Sequence, residues 1–259
     1  MQNSGKTSHD LRQDLNCTDR TIRKYLNRYN IESFKEPIKP TIVPINQESR
    51  LAFANILRHW TVENWNRVIF TDESSFYSKR SCPRKVWRIR GLNVQSEEIV
   101  PTTYQRYRVN VWGAISNKKI ELITRVSDKF NAIQYLRLLE QCLPDIHNDK
   151  PFMIWQHDNV RFHRTEAIES FFEQTGIQKM KWPAQSPDLN PIENLWALIT
   201  QKLDKMIDEH GEATSTNQLF DQIVDCASDI PLTHIRNMYR SLPNRWEQVI
   251  QKQGLATKY

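Results

Sequence analysis

Three carboxylates stand out by their settings. Asp72 closes the apolar run Val68-Ile69-Phe70-Thr71, Asp158 follows Phe152-Met153-Ile154-Trp155-Gln156-His157, and Glu193 opens a helical pattern directly after Pro191-Ile192. A short apolar run reads as a buried strand, and strands ending at one sheet edge bring their last residues together. Carboxylates converging in this way suit a hard divalent cation. Two magnesium ions so held activate an attacking oxygen and stabilise a leaving oxygen in an in-line phosphoryl displacement.

Taken singly, each acid has an ordinary reading. An Asp at a strand end caps turns, and a Glu in a helix's first turn complements the helix dipole. Only the conjunction points to a metal. Glu73 competes with Asp72, but alternation along a strand turns the two to opposite faces, so one of them can be a ligand. Asp188, inside Ser186-Pro187-Asp188-Leu189-Asn190-Pro191, is expected to cap the turn that launches the next helix. His157, Asn159 and His163 surround Asp158 and are candidates for supporting the site; a satisfied structural role is the alternative for the histidines.

Other chemistries lack their motifs. The chain has six glycines, no Gly-rich phosphate loop, no zinc-ligand spacing and no nucleophile motif. Cys17, Cys82, Cys142 and Cys226 lie far apart and read as reduced thiols. No apolar run approaches the ~20 residues of a membrane helix, and the first residues lack the apolar stretch of a signal peptide, so the expected compartment is cytosolic or nuclear, with no membrane partner. The net charge of +6 favours a polyanionic partner. The 259 residues, 39% hydrophobic with eight tryptophans, suffice for a packed core.

The acids need elements to position them. Strands are expected at 68–70, 86–89, 108–115, 120–126, 152–155 and 177–182, and helices at 47–60, 131–142, 165–174 and 192–206. This is a ribonuclease-H-like order in the α/β class, a mixed sheet flanked by helices. Upstream, residues 8–30 read as a small all-α helix-turn-helix. Its second helix turns Arg20, Arg23, Lys24, Asn27 and Arg28 outward, the face that would enter a DNA groove; an ordinary helical hairpin with a solvated basic face fits as well. Pro37, Pro40 and Pro44 mark an extended linker. The basic stretch containing Lys79, Arg80, Arg84, Lys85, Arg88 and Arg90 would track a DNA backbone beside the acids. The expected division is residues 1–32 for DNA binding, 33–60 for linker and connecting helix, 61–210 for the catalytic domain and 211–259 for a helical extension.

Taken together, Val68 to Ser74, Val111-Trp112-Gly113-Ala114-Ile115-Ser116, Gln156-His157-Asp158-Asn159 with His163, and above all Trp182-Pro183-Ala184-Gln185-Ser186-Pro187-Asp188-Leu189-Asn190-Pro191-Ile192-Glu193-Asn194-Leu195-Trp196 resemble the Tc/mariner superfamily transposases. Thirty-four residues separate Asp158 from Glu193, the spacing of that family's second and third acids, and a third acid that is Glu resembles the Tc branch. The resemblance implies that Asp72, Asp158 and Glu193 are a catalytic, metal-binding triad using two magnesium ions, with manganese an alternative. It implies cut-and-paste transposition in the nucleus: cleavage at terminal inverted repeats of double-stranded DNA, strand transfer to a TA target, and a homodimer or larger assembly on DNA. The family's first helix-turn-helix has no counterpart before residue 8, so a truncated or host-adopted DNA-binding derivative without catalysis is the rival reading, and a cellular ribonuclease-H-like nuclease a third.

Overall fold

In a strand buried on both faces, neighbouring side chains must enter two different cores, and the central strand does this from its first residues. The computed structural model describes residues 18–28, 41–79 and 107–259. Strand β1 (Val68–Tyr77) pairs antiparallel with β2 (Arg108–Ile115), which pairs antiparallel with β3 (Ile120–Val126). On its other side β1 pairs in parallel with β4 (Ile154–Gln156), and β4 with β5 (Gln178–Lys179), giving the order β3-β2-β1-β4-β5. Val68 and Phe70 point into one core and Ile69 into the other; on β2, Val111 and Ile115 oppose Trp112 and Ala114 in the same way.

The two cores are built by different helices. Helix α4 (Ala132–Asp149) lays Tyr135, Leu139, Leu143 and Ile146 on one face of the sheet, joined by Ile168 and Phe172 of α5 (Glu166–Thr175). The other face receives α6 (Ile192–His210), α7 (Thr216–Ser228) and α8 (Leu232–Gln251), together with α2 (Pro44–Leu57) and the single turn α3 (Val62–Trp65). Burying each Leu- or Ile-sized side chain contributes about 1.5–3 kcal/mol, so these apolar stripes are what hold the helices to the sheet. Buried Tyr239 of α8 adds a polar tie, its hydroxyl 2.9 Å from the carbonyl oxygens of both Val68 and Ile115.

Several elements run past their expected ends. Strand β1 continues through Tyr77, so Asp72 lies in mid-strand instead of ending it: the antiparallel pairing with β2 outlasts the three-residue pairing with β4. Pro44 starts α2 instead of belonging to the linker, because the first turn of a helix has no partner for the N–H that proline lacks. Helix α4 reaches Asp149 despite Pro144, and β5 is only two residues long. The strand expected at 86–89 lies outside the described residues. The chain divides into two units, residues 1–40 and 41–259. The first contributes α1 (Asp19–Arg28), whose Thr21 N–H is accepted by the Thr18 hydroxyl at 3.3 Å; the helix expected before it falls outside the described residues.

Candidate active site

The cleft begins where β4 stops. Its pairing with β1 ends at Phe70 and Gln156, and the Thr71 hydroxyl then donates to the Gln156 carbonyl at 2.8 Å. Beyond that point that flank of β1 has no strand among the described residues, and the start of α6 lies against it. Asn190 sets the junction: its Nδ2 donates to the Thr71 carbonyl and its Oδ1 accepts from Ile192 N–H, both at 3.3 Å. Glu193 follows in the first turn of α6. Asp72, Asp158 and Glu193 thus come from a strand, a loop and a helix to line one cleft of about 400 Å³, together with Trp182 and the loop 183–187.

The electrostatics there are those of clustered acids: among the described residues neither Asp72 nor Glu193 has a basic side chain paired with it, whereas Asp158 has His163. Burial first, then the carboxylates of Glu193 and Glu73, push Asp72 up to about 8, against hydrogen bonds from the Glu73 backbone and Trp196. Glu193 is raised as well, by burial and then by Asp158. Asp158 is held from behind: His163 Nδ1 lies 2.9 Å from its Oδ1, and His163 Nε2 lies 3.4 Å from Glu73 Oε1. Burial opposes the imidazolium, yet the carboxylates of Asp158 and Glu73 outweigh it and lift His163 to about 9. Glu73 faces the side of the sheet opposite Asp72, as strand alternation requires. Ligand atoms of Glu73, Asp158 and His163 lie within 4.8 Å of one another; Nδ1 is bonded to Asp158, while Nε2 stands 3.4 Å from Glu73 without forming a hydrogen bond, so His163 orients Asp158 through Nδ1.

The other candidates separate by environment. His157 turns away from the cleft into the α4–α5 core, with Nδ1 3.0 Å from the Tyr135 hydroxyl, and burial followed by His163 and Lys179 pushes it down to about 2. Asn159 lines the cleft and donates to the Trp182 carbonyl. Arg20, Lys24 and Arg28 are exposed on α1 and line a shallow pocket with Thr21 and Tyr25. Arg23 and Asn27 belong to the same helix, and their side chains fall outside the described set. Lys79 is half-buried at the end of the described stretch, whereas Arg80, Arg84, Lys85, Arg88 and Arg90 lie beyond it. Cys142 and Cys226 are free thiols, with Cys142 pushed up to about 12 by burial; Cys17 and Cys82 are outside the described residues.

Asp188 corrects its expected role. Its carboxylate does not cap the turn; it pairs in bidentate fashion with Arg50 of α2, at 2.8 Å to each oxygen, and accepts from Thr257 N–H at 2.8 Å. Arg50, fully buried, also donates to the carbonyls of Gln185 at 2.8 Å and Gly254 at 2.9 Å. Gln185 is further gripped through its side-chain oxygen by Val43 N–H at 3.1 Å and Asn46 at 2.9 Å. The loop walling the cleft is therefore held from α2 and from the C-terminal tail. The sequence carried a signal for this: in the stripe Arg50, Ala54, Leu57 a cation occupies a core position, which demands a buried partner. Trp196 stands at helical spacing from Glu193 and also reaches the site.

The described residues form a five-stranded ribonuclease-H-like sheet with three acids at one cleft, an arrangement suited to phosphodiester chemistry. The comparisons narrow it. The family model described as DDE superfamily endonuclease matches residues 67–213, more than half of the chain. The chain belongs to the DDE superfamily endonucleases, as a DNA transposase of the Tc/mariner kind. It is 28% identical over 251 residues to the Tcb2 transposase of Caenorhabditis briggsae, covering 93% of this chain and 88% of that protein. It is 29% identical to the Tc3 transposase of Caenorhabditis elegans, covering 99% and 78%. Among solved structures, the Mos1 transposase paired-end complex superposes with a TM-score of 0.81 at 17% identity, over 97% of this chain and 75% of that one. The isolated Mos1 catalytic domain gives 0.65 at 15% identity, over 86% and 100%. These likenesses establish the shared fold.

Proposed function

We propose that Asp72, Asp158 and Glu193 are the catalytic acids and that together they hold two divalent cations, magnesium or manganese. The single observation that carries this is the convergence of the three carboxylates on one cleft, with Asp72 and Glu193 both raised by burial and by their acidic neighbours. A cluster of carboxylates of which two are raised by their neighbours suits a cation, and hard carboxylate oxygens are the donors it prefers. When bound, the ions supply activation of the attacking oxygen and stabilisation of the leaving oxygen in phosphodiester transfer.

The chain's own residues do the placing. Asp72 is fixed in the sheet, Asp158 is oriented by His163, and Glu193 is carried by the first turn of a helix whose start is bonded to β1 through Asn190. Loop 183–187 walls the cleft and sets how closely a DNA backbone approaches. The substrate of this reading is double-stranded DNA at a transposon's inverted repeats, joined to a TA target, with the exposed basic face of α1 contributing backbone contacts. Solved Mos1 complexes carry paired transposon ends, and some carry manganese or magnesium; the same arrangement here calls for two or more protomers on DNA, acting in the nucleus.

The test incubates the purified chain with supercoiled plasmid and a pre-cut oligonucleotide bearing a 3′ hydroxyl, with magnesium, manganese or EDTA. Wild type joins the strands only with metal, and Glu193→Gln lowers joining by roughly 10⁴-fold, or about 5 kcal/mol of barrier, while DNA affinity is unchanged. Binding without cutting or joining in the wild type would turn the assignment to a DNA-binding protein. Cleavage of RNA–DNA hybrids without strand transfer would turn it to a cellular nuclease.

A further inference from the structure

Trp196 sits one turn beyond Glu193 on α6 and is almost fully buried. Its indole Nε1–H donates to Oδ2 of Asp72 at 3.2 Å. What lets the ring reach that carboxylate lies across the sheet. In the β1–β2 register Asp72 pairs with residue 113, a glycine. A Cβ there would lie 2.5 Å from Cη2 and 3.0 Å from Cζ2 of Trp196, so the far edge of the indole occupies the space that any side chain would need. Gly113 is not at a positive φ; the ring, and not the backbone, requires it. Phe76, four residues along β1 from Asp72, meets the indole edge-on with centroids 5.9 Å apart.

The ring is thus fixed by packing, and its one polar group is aimed at one oxygen of one carboxylate. An indole N–H can only donate, so it cannot itself bind a cation. By holding Oδ2 it restrains the rotation of the carboxyl group of a residue that lines the cleft. Partners of this kind, which orient a ligand without touching the metal, typically affect metal affinity by 10–100-fold.

We propose that Trp196 is a positioning residue for Asp72, with Gly113 the opening in β2 that admits its ring; this rests on Asp72 being a divalent-cation ligand. Packing alone predicts that only the ring's shape matters. Positioning requires the N–H.

The experiment measures Mn2+ binding to the full chain by calorimetry, beside the melting temperature of the metal-free protein. Position 196 receives β-(3-benzothienyl)alanine, a tryptophan isostere in which sulfur replaces the N–H. The control places the same isostere at Trp246, whose buried Nε1 has no hydrogen-bond partner. The expected result is a Kd for Mn2+ raised roughly tenfold by the isostere at 196, no change from the isostere at 246, and melting temperatures within about two degrees of wild type. Gly113→Ala, which displaces the indole, weakens binding in the same direction. Wild-type affinity with the isostere at 196, or equal weakening from both isosteres, overturns the proposal while Asp72→Asn still abolishes binding. If Asp72→Asn binds Mn2+ undiminished, Asp72 is not a ligand and the proposal falls with that reading.

Discussion

Two half-buried aspartates near the same loop have opposite fates. Asp188 gives both oxygens to Arg50 and accepts a backbone N–H from Thr257. Burial would raise it, but those partners pull it below the usual carboxylate range. Asp72 is half-buried among acids, has one N–H from Trp196 as its side-chain donor, and is pushed up to about 8. One acid is satisfied and spends its charge on architecture; the other is left unsatisfied where a cation would complete it. Burial by itself does not distinguish a structural carboxylate from a reactive one, and the sign of the displacement does.

Breaking the satisfied side has the largest expected effect. Asp188→Ala leaves Arg50 as an uncompensated buried cation and releases the tail from loop 183–191, at a cost of roughly 3–5 kcal/mol in urea unfolding. An unchanged unfolding midpoint would show that the Arg50 clamp does not support the fold.

The unsatisfied side shows itself in pH dependence. Between the unfolded value near 4 and the folded value of about 8, native Asp72 keeps a proton that the unfolded chain has released. Its contribution to stability therefore falls as pH rises through that window. Asp72→Asn removes this loss, so the variant gains on wild type in metal-free buffer between pH 5 and 8 by at least about 1.4 kcal/mol, the worth of one unit of displacement. If Asp72 is a ligand as proposed, magnesium reverses the loss in wild type alone, by binding the native ionised site. Asp188 has the opposite sign: its folded value is lowered, so the stability it contributes is present above the unfolded value and is lost as pH falls through the folded one. Parallel pH profiles for Asp72→Asn and wild type would contradict the contrast.

The smallest effect probes the edge of the clamp. Gly254 has φ +85 and presents its carbonyl to Arg50, and a Cβ there would lie 2.2 Å from the Gln47 carbonyl oxygen. Gly254→Ala costs roughly 1–2 kcal/mol, read as a lowered melting temperature, and leaves the pH profile of Asp72 untouched.

Much of this was legible in one dimension. Apolar runs and helical patterning gave the order of β1 to β4 and the places of α4 and α6 along the chain, because those periodicities follow from backbone geometry alone. Strand alternation separated Asp72 from Glu73, and Pro191 placed Glu193 in a first helical turn. Less legible were lengths: β1 outran its apolar core because pairing with β2, a non-local interaction, carries it on to Tyr77.

The chemistry of the site divides in the same way. Sequence by itself determined which acids are available, their faces and their spacing, since these depend on local geometry. Tertiary structure decided that Arg50 reaches Asp188 across 138 residues and that Trp196 reaches Asp72 across 124. It also decided that His157 enters a core while His163 stands between two acids. The physical reason is that charge compensation and side-chain contact belong to distances in space, and folding sets those through packing between elements that the sequence keeps far apart.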